Sequence, residues 1–151
     1  MIENKIEDLY QEIILEHNKN PFYYYKMKEA THYFKGHNSF CGDKIEIFLK
    51  LSGKVIDEIS FYGEGCAICK ASASMMVSIL KGLVITEALD RFEYFHNLLN
   101  NKFIENIKDE KYKDLNVFEG VRKYPIRIKC AILAWHTMKI ALKTQFKKKV
   151  F

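Results

Sequence analysis

The stretch that most constrains this chain is Gly63-Glu64-Gly65-Cys66-Ala67-Ile68-Cys69-Lys70-Ala71-Ser72. Ahead of it Ile59 and Phe61 alternate with polar residues, as in a strand. Behind it Ala73-Ser74-Met75-Met76-Val77-Ser78-Ile79-Leu80 reads as a helix of small and apolar residues. The glycines let the backbone turn sharply at little steric cost. Cys66 therefore stands where a strand hands over to a helix N-terminus. Unpaired N–H groups and the helix dipole favour negative charge there, which biases a thiol toward thiolate. Thiolate is the form that binds metal or attacks sulfur.

The strand leading into Cys66 is the second arm of a hairpin. In the first arm Ile45, Ile47, Leu49 and Leu51 alternate with Lys44, Glu46, Phe48 and Lys50. Ser52-Gly53 reads as a two-residue turn, and Val55 to Phe61 returns antiparallel. Cys41-Gly42-Asp43 opens the first arm, while Cys66 follows the end of the second. Counted from the turn, both lie at the open end. Hairpin geometry alone thus brings Cys41, Asp43 and Cys66 together.

The remaining segments supply helices. Ile2, Ile6, Leu9, Tyr10, Ile13, Ile14 and His17 recur at helical spacing over residues 3–17, and Asn18-Lys19-Asn20-Pro21 stops that helix. Phe22-Tyr23-Tyr24-Tyr25 lacks an interleaved basic pattern, so it reads as packing rather than as a base-stacking platform. Thr31 to Lys35 forms a short edge strand, followed by a loop over 36–43. Lys81-Gly82 closes the Cys66 helix, and Leu89, Phe92, Phe95, His96 and Leu99 mark another from Thr86 to Asn100. Residues 101–123 are a charged surface excursion with a short helix around Asp114 to Phe118. Pro125 suits a helix start, and the lack of Gly or Pro from Ile126 to Lys148 predicts one long helix. Cys130 falls in its first turn, with Arg127 one turn before it on the same side. His17 reads as a packed or helix-end residue, and His96 and His136 as helix-surface residues.

With 151 residues, 48% of them hydrophobic and 28% charged, the chain is expected to form a single domain, 1–151, with a real core. No run of about 18 apolar residues occurs. The acidic start Met1-Ile2-Glu3-Asn4-Lys5-Ile6-Glu7-Asp8 fits neither a signal peptide nor a transit peptide. A cytoplasmic home is expected, with no membrane partner. There the four cysteines read as metal ligands or reactive thiols rather than disulfides. The net charge of +5 is thinly spread apart from Lys147-Lys148-Lys149, which reads as a solvated helix end, so no nucleic-acid partner is expected.

Three thiols at element ends with one carboxylate suit a tetrahedral metal site. The spacing is not that of a zinc finger. Buried cysteines acting as small apolar groups, or a redox pair at Cys66 and Cys69, are competing readings that spacing leaves open.

Three separated motifs add a further argument. They are Asn38-Ser39-Phe40-Cys41-Gly42-Asp43; Gly63-Glu64-Gly65-Cys66-Ala67-Ile68 with Ala71-Ser72-Ala73-Ser74-Met75-Met76; and Gly120-Val121-Arg122-Lys123-Tyr124-Pro125 with Arg127-Ile128-Lys129-Cys130-Ala131-Ile132-Leu133-Ala134-Trp135. In content and order they resemble the iron–sulfur cluster assembly proteins of the IscU/NifU N-domain superfamily, and the SufU branch most closely. The excursion at 101–123 resembles that branch's insertion, and Lys129 stands where the classical scaffold carries histidine. Ser39 departs from the usual proline, and Cys69 replaces a residue that is commonly serine.

The resemblance implies an α+β fold: a small antiparallel sheet of about three strands, helices packed mainly on one face, and a metal site at an exposed end. It implies zinc ligated by Cys41, Asp43, Cys66 and Cys130. The implied activity is sulfur transfer for cluster assembly. Cys41 would accept persulfide sulfur from a pyridoxal-phosphate cysteine desulfurase of SufS type, freed by a histidine the partner lends to the metal, and pass it to a downstream scaffold. Arg127 would offset the thiolate charge or support the partner. The alternative is a scaffold using the same residues for iron or a transient [2Fe–2S] cluster. A purely structural zinc module is the reading from another class. Cys69 would be a spare ligand, a resolving thiol or an idle one.

Overall fold

The computed structural model describes residues 2–100, 102 and 110–145. In chain order the elements are α1 (Ile2–Lys19), β1 (His32–Asn38), β2 (Asp43–Ser52), β3 (Val55–Glu64), α2 (Ala67–Leu80), α3 (Ile85–Leu99), a 3₁₀ segment (Glu110–Lys123) and α4 (Pro125–Ala141). The strands form one antiparallel sheet in the order β1-β2-β3, the expected α+β arrangement. Ile47 pairs with Phe34 on one side and Phe61 on the other, and Leu49 pairs with His32 and Ile59. Side chains alternate between faces along a strand, so Asp43, Ile45, Ile47 and Leu49 share the face that packs beneath the helices. All four are buried. Trp135 and Met138 of α4 and Met76 and Leu80 of α2 complete that core.

Several boundaries differ from the sequence expectation. The hairpin turn is Gly53-Lys54, one residue later than expected, because Ser52 still pairs with Val55. Gly36, His37 and Asn38 continue β1 rather than forming a loop. A Cβ on Gly36 would sit 2.0 Å from Thr137 Oγ1, so glycine here lets α4 lie directly on the strand. Helix α4 ends at Ala141, not Lys148, and the chain then turns back. The amide of Tyr33 donates to Thr144 O at 3.1 Å, and His32 bridges Gln145. On the far flank, the amide of Phe61 donates to Tyr23 O at 3.1 Å, and Val55 bridges Val84. The Lys147–Lys149 run lies outside the described residues, as does 103–109 of the expected excursion.

The excursion's described part is not a short α-helix but a run of 3₁₀ turns. Tyr112, Leu115, Phe118 and Val121 are buried, and they recur every third residue. A 3₁₀ helix has three residues per turn, so this spacing places all four on one face. An α-helix would have spread them around the axis. Phe118 meets Phe95 of α3 edge-on at 5.5 Å, and Tyr112 stacks on Tyr94 at 4.1 Å. The Phe22–Tyr25 cluster is likewise used for packing: Tyr24 stacks on Tyr62 and meets Phe61 edge-on.

Candidate metal centre

The hairpin's open end gathers the thiols. Asn38 pairs with Asp43 at the last step of the β1–β2 ladder, and Ser39–Gly42 is the loop between them. Cys41 stands exposed on that loop. Period-two alternation carries Asp43 onto the buried face, where it is fully enclosed at the edge of the core. On the neighbouring strand Lys44 pairs with Glu64, so the chain reaches Gly65 and Cys66 beside Asp43. Gly63 makes this approach possible. Its φ is 149°, and a Cβ there would lie 2.1 Å from Lys44 O, a clash that no L side chain escapes.

Cys66 caps α2 with its sulfur, which accepts the Cys69 amide at 3.4 Å. Its own amide donates to Asp43 Oδ1 at 2.9 Å, and its Sγ lies 4.0 Å from Asp43 Oδ2. Cys130 comes from α4. With Pro125 as the first helical residue, it sits in the second turn rather than the first, so the helix end is not its source of polarity. Its sulfur is 3.1 Å from that of Cys41. Burial, then contact with Cys41 and Cys66, pushes the Cys130 thiol well above its ordinary range.

The donor atoms of Cys41, Asp43 and Cys130 all lie within 4.8 Å of one another, with Cys66 adjoining through Asp43. Ligands at about 2.0–2.3 Å from one ion are spread over such a distance, and three sulfurs with one carboxylate match the donor set zinc takes. The residues present thus fit a tetrahedral thiophilic ion. Of the four residues expected there, Cys41, Asp43 and Cys130 form one group, and Cys66 stands at its side, 4.0 Å from Asp43 Oδ2.

Arg127 lies beside a groove that also takes in Ala67, next to Cys66. Its guanidinium covers the Tyr124 ring at 4.5 Å and lines that groove, of about 610 Å³, shared with Tyr10, Ile68 and Val121. Cys69 is fully buried, and desolvation, reinforced by Asp43, Cys66 and Cys41, holds its thiol far above the normal range. His17 is packed, its Nδ1 2.8 Å from Ser74 Oγ. His96 lies against Phe92, and His136 is exposed.

Two supporting residues were not singled out from sequence. Asn38 Oδ1 accepts the Phe40 amide at 3.1 Å, and Asn38 Nδ2 points to Cys130 Sγ at 3.8 Å. One buried side chain thereby shapes the Cys41 loop and donates toward the Cys130 sulfur. The signal was its position: it falls on the helix-facing alternation of β1, where a polar residue is unexpected. Ser72 Oγ donates to Ala131 O at 2.5 Å and accepts Trp135 Nε1–H at 3.1 Å. It thus ties α2, which follows Cys66, to the turns of α4 that follow Cys130.

Comparisons with known proteins fit this geometry. The model of the NifU-like N terminal domain family matches residues 9–151. The zinc-dependent sulfurtransferase SufU of Bacillus subtilis is 35% identical over 133 residues, 88% of each chain. The iron–sulfur cluster assembly scaffold protein IscU of Thermotoga maritima is also 35% identical, over 89% of this chain and 93% of its own. A Fervidobacterium islandicum crystal structure, described as an iron–sulfur cluster assembly scaffold for the SUF system, superposes with a TM-score of 0.81 at 30% identity, covering 87% of this chain and 94% of that one. The motifs, the sheet order and this family match agree: the chain belongs to the NifU-like N-terminal domain family.

Proposed function

We propose that this protein serves iron–sulfur cluster assembly as a zinc-dependent sulfurtransferase that accepts persulfide sulfur from a cysteine desulfurase. The observation that carries the reading is the pairing of an exposed loop thiol, Cys41, with the buried donors Asp43 and Cys130. The likeness to SufU of Bacillus subtilis supports the choice of zinc and of sulfur transfer. Zinc held by Cys41, Asp43, Cys66 and Cys130 would keep the thiols ionised at neutral pH.

Among these ligands Cys41 is the one free to transfer sulfur. Cys66 is tied into a helix cap and Cys130 is packed in a core helix, whereas Cys41 lies on a four-residue loop. Its thiolate attacks the outer sulfur of the donor's persulfide. A new S–S bond forms on Cys41 as the donor's S–S bond breaks, and the donor cysteine leaves as thiolate. No oxidant or reductant is consumed. Asn38 holds the loop, and a downstream scaffold takes the sulfur onward.

A second reading, a scaffold that carries iron or a [2Fe–2S] cluster, draws on the equal likeness to IscU of Thermotoga maritima. The test is metal analysis of protein purified without added metal, then mass spectrometry after incubation with desulfurase and cysteine. Near-stoichiometric zinc and one added sulfur on Cys41 are expected. Labile iron with sulfide and a brown colour would favour the scaffold. Cys41→Ala should fold yet accept no sulfur. Cys69→Ser should accept it near the wild-type level, since a fully buried thiol is out of a donor's reach. Persulfide on Cys66 or Cys69 in place of Cys41 would overturn the assignment. Full desulfurase activation by a metal-loaded Cys41→Ala would leave a structural zinc module.

A further inference from the structure

Phe40, the residue before the transferring thiol, is 72% exposed, more than any other large hydrophobic side chain among the described residues. Lys129, the residue before Cys130, places its ammonium 4.0 Å over the Phe40 ring. Two contacts therefore join the loop to α4 side by side, Cys41 to Cys130 and Phe40 to Lys129. Ile126, one turn before Lys129 and 61% exposed, continues this apolar surface along the helix. Tyr124 under Arg127 forms a second ring-and-cation pair near the same helix start.

Such pairs leave something unfinished. Among the described residues neither Lys129 nor Arg127 has a carboxylate within 4.0 Å. Exposed aromatic surface beside unpaired cations is the composition of a protein-binding hot spot. Its location selects the occupant. A macromolecule that presents a persulfide to Cys41 must cover the adjoining residue, and Phe40 is that residue.

We propose that Phe40 is the docking anchor for the sulfur-donating protein, seated in an apolar recess of that partner, and that Lys129 receives a carboxylate from the recess's rim. This rests on the sulfurtransferase reading and adds what the donor's surface must be: concave and apolar, with an acidic edge. Phe40 positions the partner and takes no part in the bond exchange.

The test measures persulfide formation on Cys41 against desulfurase concentration. A parallel series uses glutathione persulfide, whose outer sulfur passes to Cys41 as glutathione thiolate leaves, with no docking. Phe40→Ala should raise the half-saturating desulfurase concentration about tenfold while keeping the rate at saturation, and Phe40→Trp should restore it. Lys129→Glu should raise it too and flatten its dependence on salt. Zinc content, melting temperature and the glutathione persulfide rate should match wild type in every variant. An unchanged half-saturation in Phe40→Ala overturns the docking role alone. Equal slowing with both donors would place Phe40 in loop reactivity instead, and also overturns it. If the wild-type chain takes sulfur from neither donor, the sulfurtransferase reading has failed and this inference falls with it.

Discussion

Asn38 shapes the site from two sides. It is buried, and both ends of its amide are used, one by the Phe40 amide and one toward Cys130 Sγ. Asn38→Ala removes the acceptor that bends the loop and the donor facing the sulfur. Losing such an outer partner typically weakens a metal site by about 10–100-fold, and a zinc competition titration would read that loss. Asn38→Asp should be worse than Asn38→Ala, because it turns a second carboxylate on the thiols. Three of the candidate ligands were legible as neighbours in the sequence because strand alternation and turn counting are rigid rules. Cys41, Asp43 and Cys66 follow from the hairpin alone. Asn38 was missed as a separate participant because its partner, Cys130, is 92 positions away, a separation no local pattern encodes. Helical spacing put Arg127 on the Cys130 side, and the structure adds a contact that the spacing did not give, with the ring of Tyr124.

Among the elements, the Ser72 tie between α2 and α4 fixes how far apart two helix-borne thiols stand. Ser72→Ala deletes both hydrogen bonds and strands the buried indole N–H of Trp135. An orphaned buried donor costs about 1–3 kcal/mol, to be read as a lower urea midpoint with unchanged slope. The boundaries of β2, α2 and α3 were readable to within one or two residues, since each has a clear period and a breaker, whereas β1 and β3 run three residues past their expected ends, to Asn38 and Glu64. Two further elements were not readable in this way. The three-residue spacing of Tyr112, Leu115, Phe118 and Val121 was present in the sequence, but a search for helical or alternating periods passes over it. The end of α4 was invisible because nothing between Ala141 and Lys148 breaks a helix locally. Tertiary main-chain bonds from β1 to Thr144 and Gln145 capture the chain instead.

For the whole molecule, two responses to solution conditions follow. A structural zinc is worth about 10–16 kcal/mol to a small peptide that has no other core. Here Cys69 and Cys130 join the core, but most of it is built from residues outside the metal site, such as Phe61, Phe95, Phe118 and Trp135, so chelation should lower the melting temperature yet leave helical circular dichroism largely intact. Complete unfolding on chelation would contradict that separation. The second response concerns pH. Burial lowers the pKa of His17 below 6.5, against smaller opposing effects of Asp114 and Glu16. The unfolded chain then binds the proton more readily than the folded one. The stability is fully present above about pH 6.5 and is lost as pH falls through and below it. In the metal-free chain the melting temperature should drop between pH 7.5 and 5.5, and His17→Gln should lessen the drop. An identical slope in both would assign it to other groups.

The two flanks of the sheet carry one more consequence. A three-stranded sheet has two outer strands whose free amides and carbonyls invite another chain to add on. Here β1 is occupied at its start by Thr144 and Gln145, and β3 by Tyr23, Tyr24 and Val84. The molecule thereby blocks part of each edge against strand addition. Copies at high concentration therefore have a shortened edge through which to pair, so the exposed end that carries Cys41 and Cys66 sits on a sheet less able to template aggregation.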